Sequence, residues 1–135
     1  MTENQVTEEV IGSAIEVHRA LGPGLLESIY AECLAVELRL RQLQFERQVP
    51  VPVLYKGQRV CTDLRIDLLV NECVVVELKS VETLIPIHDA QLLTYLRLTG
   101  KSVGLLINFN VPVLRDGLRR LVNQYRGLRV SASPR

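Results

Sequence analysis

Asp67, Glu77 and Lys79 lie inside two of the most apolar runs of the chain, within "DLRIDLLVNECVVVELKSV" at residues 63–81. A charge in such a run is costly unless it is hydrogen-bonded, paired or bound to a metal. Alternation along a strand puts Glu77 and Lys79 on one face with Val75, and Val76 and Leu78 on the other. Asp67, on the preceding strand, meets Glu77 only if the two strands pair symmetrically about residue 72, Val70 against Val74, with a loop at 71–73. A two-residue turn at Asn71-Glu72 would instead oppose Asp67 to Val76 and scatter the charges. The odd register, or a bulge with the same effect, is the expectation. It sets two carboxylates side by side with an ammonium one pleat away, while Asp63 and Glu72 stay at the surface. Like charges this close push one carboxyl towards protonation unless a cation holds both ionised, and oxygen donors suit Mg2+ or Mn2+. The competing arrangement is a structural salt bridge from Lys79 to Asp67 or Glu77.

The elements that must position these residues alternate in period. From Thr2 to about Leu21, Val6, Val10, Ala14, Val17 and Leu21 recur at helical spacing, and Thr2 with Gln5 forms a capping box. "GPG" at 22–24 ends that helix. A second helix is expected from about Leu25 to Gln42, with Leu26, Ile29, Cys33, Val36 and Leu40 as its inward stripe. From Gln44, "FERQVPVPVLY" reads as an edge or irregular strand, Lys56-Gly57-Gln58 as a turn, and "RVCTDLRIDLLV" and "CVVVELKSV" as central strands. "PIHDAQLLTYLRLT" at 86–99 reads as a helix closed by Gly100, with Ile87, Ala90, Leu92 or Leu93, Tyr95 and Leu96 inward. "SVGLLINFN" reads as a fourth strand, and 111 to about 125 as a last helix with Val113, Leu114, Leu118 and Leu121 inward. The order ααβββαβα makes an α/β (α+β) fold with a central four-stranded mixed sheet flanked by helices. The strands on either side of the 86–99 helix are parallel.

A chain of 135 residues, 47% apolar and 23% charged, suits one domain with an aliphatic core, expected over 1–125 with a frayed tail at 126–135. No run approaches the roughly 18 apolar residues of a membrane span, and "MTENQVTEEV" lacks the character of a signal peptide, so the cytoplasm is the expected location. Cys33, Cys61 and Cys73 are widely spaced in apolar contexts and read as reduced core residues. Charge is uneven: residues 1–90 carry 8 Lys/Arg against 14 Asp/Glu, whereas 91–135 carry 8 against the single Asp116. A basic carboxyl-terminal third with Arg115, Arg119, Arg120, Arg126 and Arg129 fits an acidic partner such as a nucleic-acid backbone, and equally a solvated helix face.

An Asp strand followed after ten residues by Glu-x-Lys, on this element order, resembles the PD-(D/E)xK nuclease superfamily, whose core is restriction-endonuclease-like. Gln91 and Tyr95 on the following helix are similar to the Gln-x-x-x-Tyr signature of its RecB-type branch. Gly24, Glu27 and Tyr30, in "GLLESIY", together with "IEVHRALGPG" and "GLLINF", closely resemble the GxxExxY family of small bacterial proteins in that superfamily. The resemblance spans roughly residues 5 to 125.

What it implies is metal-assisted hydrolysis of DNA or RNA phosphodiesters. Asp67, Glu77 and the Leu78 carbonyl would be ligands of Mg2+ or Mn2+, and Glu27 would reach a ligand position or a bound water. Lys79 would orient the attacking water. Gln91 and Tyr95 would steady Lys79 or touch the substrate backbone, and Tyr30, Arg119 and Arg120 would complete the substrate surface. His18 and His88 read as packing or hydrogen-bonding residues. The alternative is a nuclease-like binding or regulatory module that cleaves nothing alone, and a homodimer would let so small a domain engage a duplex.

Overall fold

The computed structural model describes residues 1–123. The expected tail, with Arg126 and Arg129, lies outside them. Helix α1 (Glu3–Leu21) starts at the Thr2/Gln5 capping box, each side chain bonded to the other's backbone N–H. Helix α2 (Glu27–Leu40) follows the GPG loop. Five strands come next, β1 (Phe45–Pro50), β2 (Val53–Tyr55), β3 (Gln58–Val60), β4 (Arg65–Val70) and β5 (Val74–Lys79), then helix α3 (Pro86–Thr99), β6 (Val103–Asn108), a 3-10 turn (Leu114–Gly117) and β7 (Leu118–Val122).

The main sheet has five strands in the order β1-β4-β5-β6-β7, with β5 and β6 parallel across α3 and the other neighbours antiparallel. The mixed α+β architecture is the one expected, with two corrections. Pro50 lacks the N–H a ladder needs, and around Pro52 the chain leaves the sheet, so β2 and β3 form a separate two-stranded hairpin. The expected last helix is instead the 3-10 turn and strand β7. Leu118 and Leu121 lie three apart, which suits a helix, but here they serve an edge strand covered on both faces, Leu118 packing on one core and Leu121 on the other. Gly117 permits the reversal, since a Cβ there would meet the Asn108 carbonyl oxygen inside van der Waals contact.

The two faces of the sheet carry separate cores. Val6, Val10, Ala14 and Val17 of α1 and Tyr30, Leu34 and Leu38 of α2 cover Leu68, Val74, Val76 and Leu78, whereas Leu92, Tyr95 and Leu96 of α3 cover Val75 and Leu106. Helix α2 buries a different stripe from the one expected. Leu26, Val36 and Leu40 are 72%, 51% and 73% exposed and Ile29 is exposed too, while Tyr30, Leu34, Ala35 and Leu38 point inward. The helix is apolar on two faces, so its period alone cannot choose between them. Leu34→Ala is therefore expected to cost about 2–5 kcal/mol in denaturant unfolding, and Val36→Ala under about 0.5 kcal/mol.

Leu21, Ile87 and Ala90, expected inward, are exposed, and Cys61 is exposed rather than in the core; all three cysteines are free. Among the described residues no helix is long and apolar enough to cross a membrane.

Candidate active site

The odd register is present. Val70 pairs with Val74, Leu69 with Val75 and Leu68 with Val76, which is symmetry about residue 72. Asn71 and Glu72 take left-handed conformations, φ 52° and 58°, and close the turn with a bond from the Cys73 N–H to the Val70 carbonyl. Beyond Leu68 and Val76 the side chains of the opposed acids take over the ladder. The Asp67 N–H donates to Glu77 Oε2 at 3.0 Å, and the Leu78 N–H donates to Asp67 Oδ2 at 2.8 Å. Opposite Asp67 on β1, Gln48 takes φ 53° and turns its amide to Asp67 Oδ1 at 3.5 Å. The pleat breaks there: Ile66 belongs to one core and Leu68 to the other, although two residues apart. This is the local cause of a charged side chain in an apolar strand.

Glu77 is 6% exposed. Burial, reinforced by the neighbouring Asp67 carboxylate, pushes its carboxyl up to about 8. Asp67 is raised by burial, against the Leu78 N–H and the Lys79 ammonium. Glu27, exposed at the first turn of α2, is raised by partial desolvation and then by Asp67, with Lys79 opposing, so α2 brings a third carboxyl into the field of the pair. Lys79 forms no ion pair within 4.0 Å with any of these acids; Nζ donates to Gln91 Oε1 at 3.3 Å, and Gln91 Nε2 donates to the Tyr95 hydroxyl at 3.2 Å. The structural salt bridge is thus not what the chain builds, and Lys79 is held from α3 instead.

Among the described residues no three His, Cys, Asp or Glu side chains are arranged as a metal cage. What the residues offer is the buried Glu77 carboxylate, the half-buried Asp67 carboxylate and the Leu78 carbonyl. That carbonyl points to the same side of β5 as the Leu78 N–H, which bonds Asp67. Two neighbouring oxygen-donor acids held at raised pKa are a chemistry a divalent cation relieves.

The residues expected at the substrate surface are placed otherwise. Tyr30 is fully buried, its ring stacked on Phe109 with centroids 4.5 Å apart. Its hydroxyl donates to the Gly22 carbonyl at 2.6 Å and accepts from the Leu25 N–H at 3.2 Å, tying down the loop that leads into Glu27. Tyr95 is only 6% exposed, at the end of the Lys79–Gln91 chain. Arg119 shares the sheet face of Glu77 but is committed to Asp89 at 2.6 Å, and Arg120 points to the opposite face, bonded to Asn4 Oδ1. Neighbouring residues of a strand face opposite ways, so the pair makes no common patch. Tyr30→Phe is expected to remove both loop bonds, cost about 1–2 kcal/mol in thermal or denaturant melts, and lower any activity that uses Glu27.

Three positioning residues have no motif to announce them. Gln48 braces Asp67. The Ser80 hydroxyl donates to the Leu25 carbonyl at 2.6 Å, joining the end of the acid strand to the Glu27 loop. The buried Asn108 amide binds both backbone groups of Val81, so the loop after Lys79 is pinned to β6. Asn108 alone leaves a trace, as the polar residue closing an apolar strand. His18 bonds the Val111 carbonyl and His88 the Ile85 N–H.

A family model described as the PD-(D/E)XK nuclease superfamily matches residues 4–121. No curated protein and no solved structure matches the chain.

Proposed function

The chain belongs to the PD-(D/E)XK nuclease superfamily, and from that premise we propose that it is a divalent-metal-dependent nuclease hydrolysing phosphodiester bonds of DNA or RNA. The observation that carries the reading is the interlock of Asp67 and Glu77 through the N–H groups of Asp67 and Leu78, with Lys79 on the same face and free of both acids. The Gly24, Glu27, Tyr30 pattern supports placing it in the GxxExxY branch.

Asp67, Glu77 and the Leu78 carbonyl would hold Mg2+ or Mn2+, with Glu27 completing the set directly or through water. A cation held by these residues would supply polarisation of a phosphoryl oxygen and a water of lowered pKa. The remaining work falls to this chain's own groups. Lys79, oriented by the Gln91 carbonyl oxygen, aims an ammonium at the attacking oxygen and the developing phosphate charge. Tyr95 fixes the rotamer of Gln91, and Gln48 and the Leu78 N–H hold the Asp67 carboxylate in one orientation.

The test is a panel of end-labelled single-stranded DNA, duplex DNA, branched DNA and RNA, incubated with Mg2+ or Mn2+. Cleavage of at least one substrate, abolished by chelator, is expected. Binding with no cleavage of any substrate under either metal would replace the nuclease by a non-catalytic nucleic-acid-binding module.

A further inference from the structure

The β2–β3 hairpin is outside the main sheet yet rooted at the acids. It leaves after β1 and rejoins at β4, where Pro50 pairs with Arg65, and just inside that root Gln48 of β1 bonds Asp67 of β4. Val53 pairs with Val60, Leu54 with Arg59 and Tyr55 with Gln58, and the tip turns through Lys56 and Gly57, both left-handed at φ 50° and 79°. Such a turn gives a tight, regularly twisted ribbon rather than a slack loop.

Its surface combines exposed apolar side chains with positive charge. Leu54 and Tyr55 are each 65% exposed, although nothing in the sheet requires them to face water. The Lys56 ammonium lies 5.4 Å from the centre of the Tyr55 ring. From residue 47 to residue 62 the chain carries Arg47, Lys56 and Arg59 and no acid, in a half of the molecule that is otherwise acidic. Tyr55 with Lys56 on one face, and Leu54 with its cross-strand partner Arg59 on the other, put a ring, an apolar side chain and two cations on a narrow ribbon rooted next to the acid pair, which is the chemistry of a base-stacking and phosphate-binding element.

We propose that this ribbon grips unpaired nucleotides beside the bond to be cut: on one face Tyr55 stacks on a base with Lys56 on the adjoining phosphate, and on the other Arg59, opposite Leu54, takes a phosphate of the strand as it wraps over the ribbon. The inference rests on the nuclease reading and narrows its substrate to nucleic acid with a single-stranded segment next to the scissile phosphate. Arg119 and Arg120, the basic pair the sequence points to, are committed elsewhere; the ribbon supplies cations on the strand that leads into Asp67.

The experiment measures anisotropy of a labelled single-stranded oligonucleotide carrying 2-aminopurine, with Mn2+, on Lys79→Ala protein so that the strand stays intact. Adding Tyr55→Ala should weaken binding about tenfold or more and abolish the change in 2-aminopurine emission, while Tyr55→Phe retains both. Adding Lys56→Ala or Arg59→Ala should each reduce the slope of log affinity against log salt by about 0.7.

Equal affinity with and without Tyr55→Ala overturns the proposal, as does an equal loss in Tyr55→Phe. A change from dimer to monomer with nucleic-acid binding intact also overturns it, making the ribbon a contact between copies of the chain. The underlying reading is tested apart, by hydrolysis of bis(p-nitrophenyl) phosphate by the wild-type protein, a diester too small to reach the ribbon. Hydrolysis of that diester with no effect of Tyr55→Ala removes the ribbon inference alone; no hydrolysis and no nucleic-acid binding remove both.

Discussion

Lys79→Ala is expected to lower the rate of phosphodiester cleavage by about 10^2–10^3-fold and to leave the protein folded, as read by single-turnover assays and thermal melts side by side. The expectation follows from where the ammonium is held. Its hydrogen bond goes to Gln91 on α3, not to Asp67 or Glu77, so removing it strands no ion-pair partner. A lysine locked in a structural salt bridge would behave in the opposite way, since its loss would leave a buried carboxylate uncompensated and unfold the protein by about 3–5 kcal/mol. Lys79→Arg should restore little activity, because a planar fork cannot take the place of a point charge seated on an amide oxygen. Gln91→Ala should fall between wild type and Lys79→Ala, since the ammonium remains but loses its orientation.

Glu77→Gln is expected to raise stability at alkaline pH while eliminating activity. The carboxyl titrates near 4.5 in the unfolded chain and near 8 in the folded one. Below about pH 4.5 both states carry the proton and no stability depends on it. Between there and pH 8 the unfolded chain releases the proton while the folded chain keeps it, so stability falls as pH rises through that window. The loss is of the order of a few kcal/mol by pH 8, and Asp67, raised in the same direction, adds to it. A glutamine at 77 preserves an oxygen to accept the Asp67 N–H and never ionises. Its melting temperature should exceed that of wild type by several degrees at pH 8 and match it near pH 5. Mn2+ at pH 8 should raise the wild-type melting temperature and leave that of Glu77→Gln nearly unchanged. A variant that melts lower than wild type at pH 8 would show that Glu77 is an ordinary paired carboxylate.

The central geometry was legible because it depends on parity. Asp67 and Glu77 lie at equal distances from residue 72, and only a loop of odd length lets two charges in apolar strands meet. The crossover through 86–99 and the parallel pairing of β5 and β6 were legible for a similar reason, a change of period from 2 to 3.6 and back.

What escaped the sequence was ambiguous there in physical terms. Leu118 and Leu121 satisfy a helix and a strand covered on both sides, and the choice is made by Gly117 crossing the Asn108 carbonyl. Helix α2 offers two apolar stripes, and its orientation is chosen by Tyr30, whose hydroxyl is anchored in the GPG loop. Arg119 and Arg120 are adjacent, and a helix would keep them on neighbouring faces, whereas a strand sends them to opposite faces. Gln48 lies in a Val- and Pro-rich run, and its bond to Asp67 exists only once β1 lies against β4.

Calorimetric titration of the protein with Mn2+ at pH 7, in buffers of different ionisation enthalpy, decides whether Asp67 and Glu77 form a divalent-cation site. Saturable binding is expected that releases about one proton, drawn from the acid pair, and that is lost in Asp67→Asn and in Glu77→Gln. Absence of Mn2+ binding to the wild-type protein, or binding that survives both substitutions, would contradict that assignment.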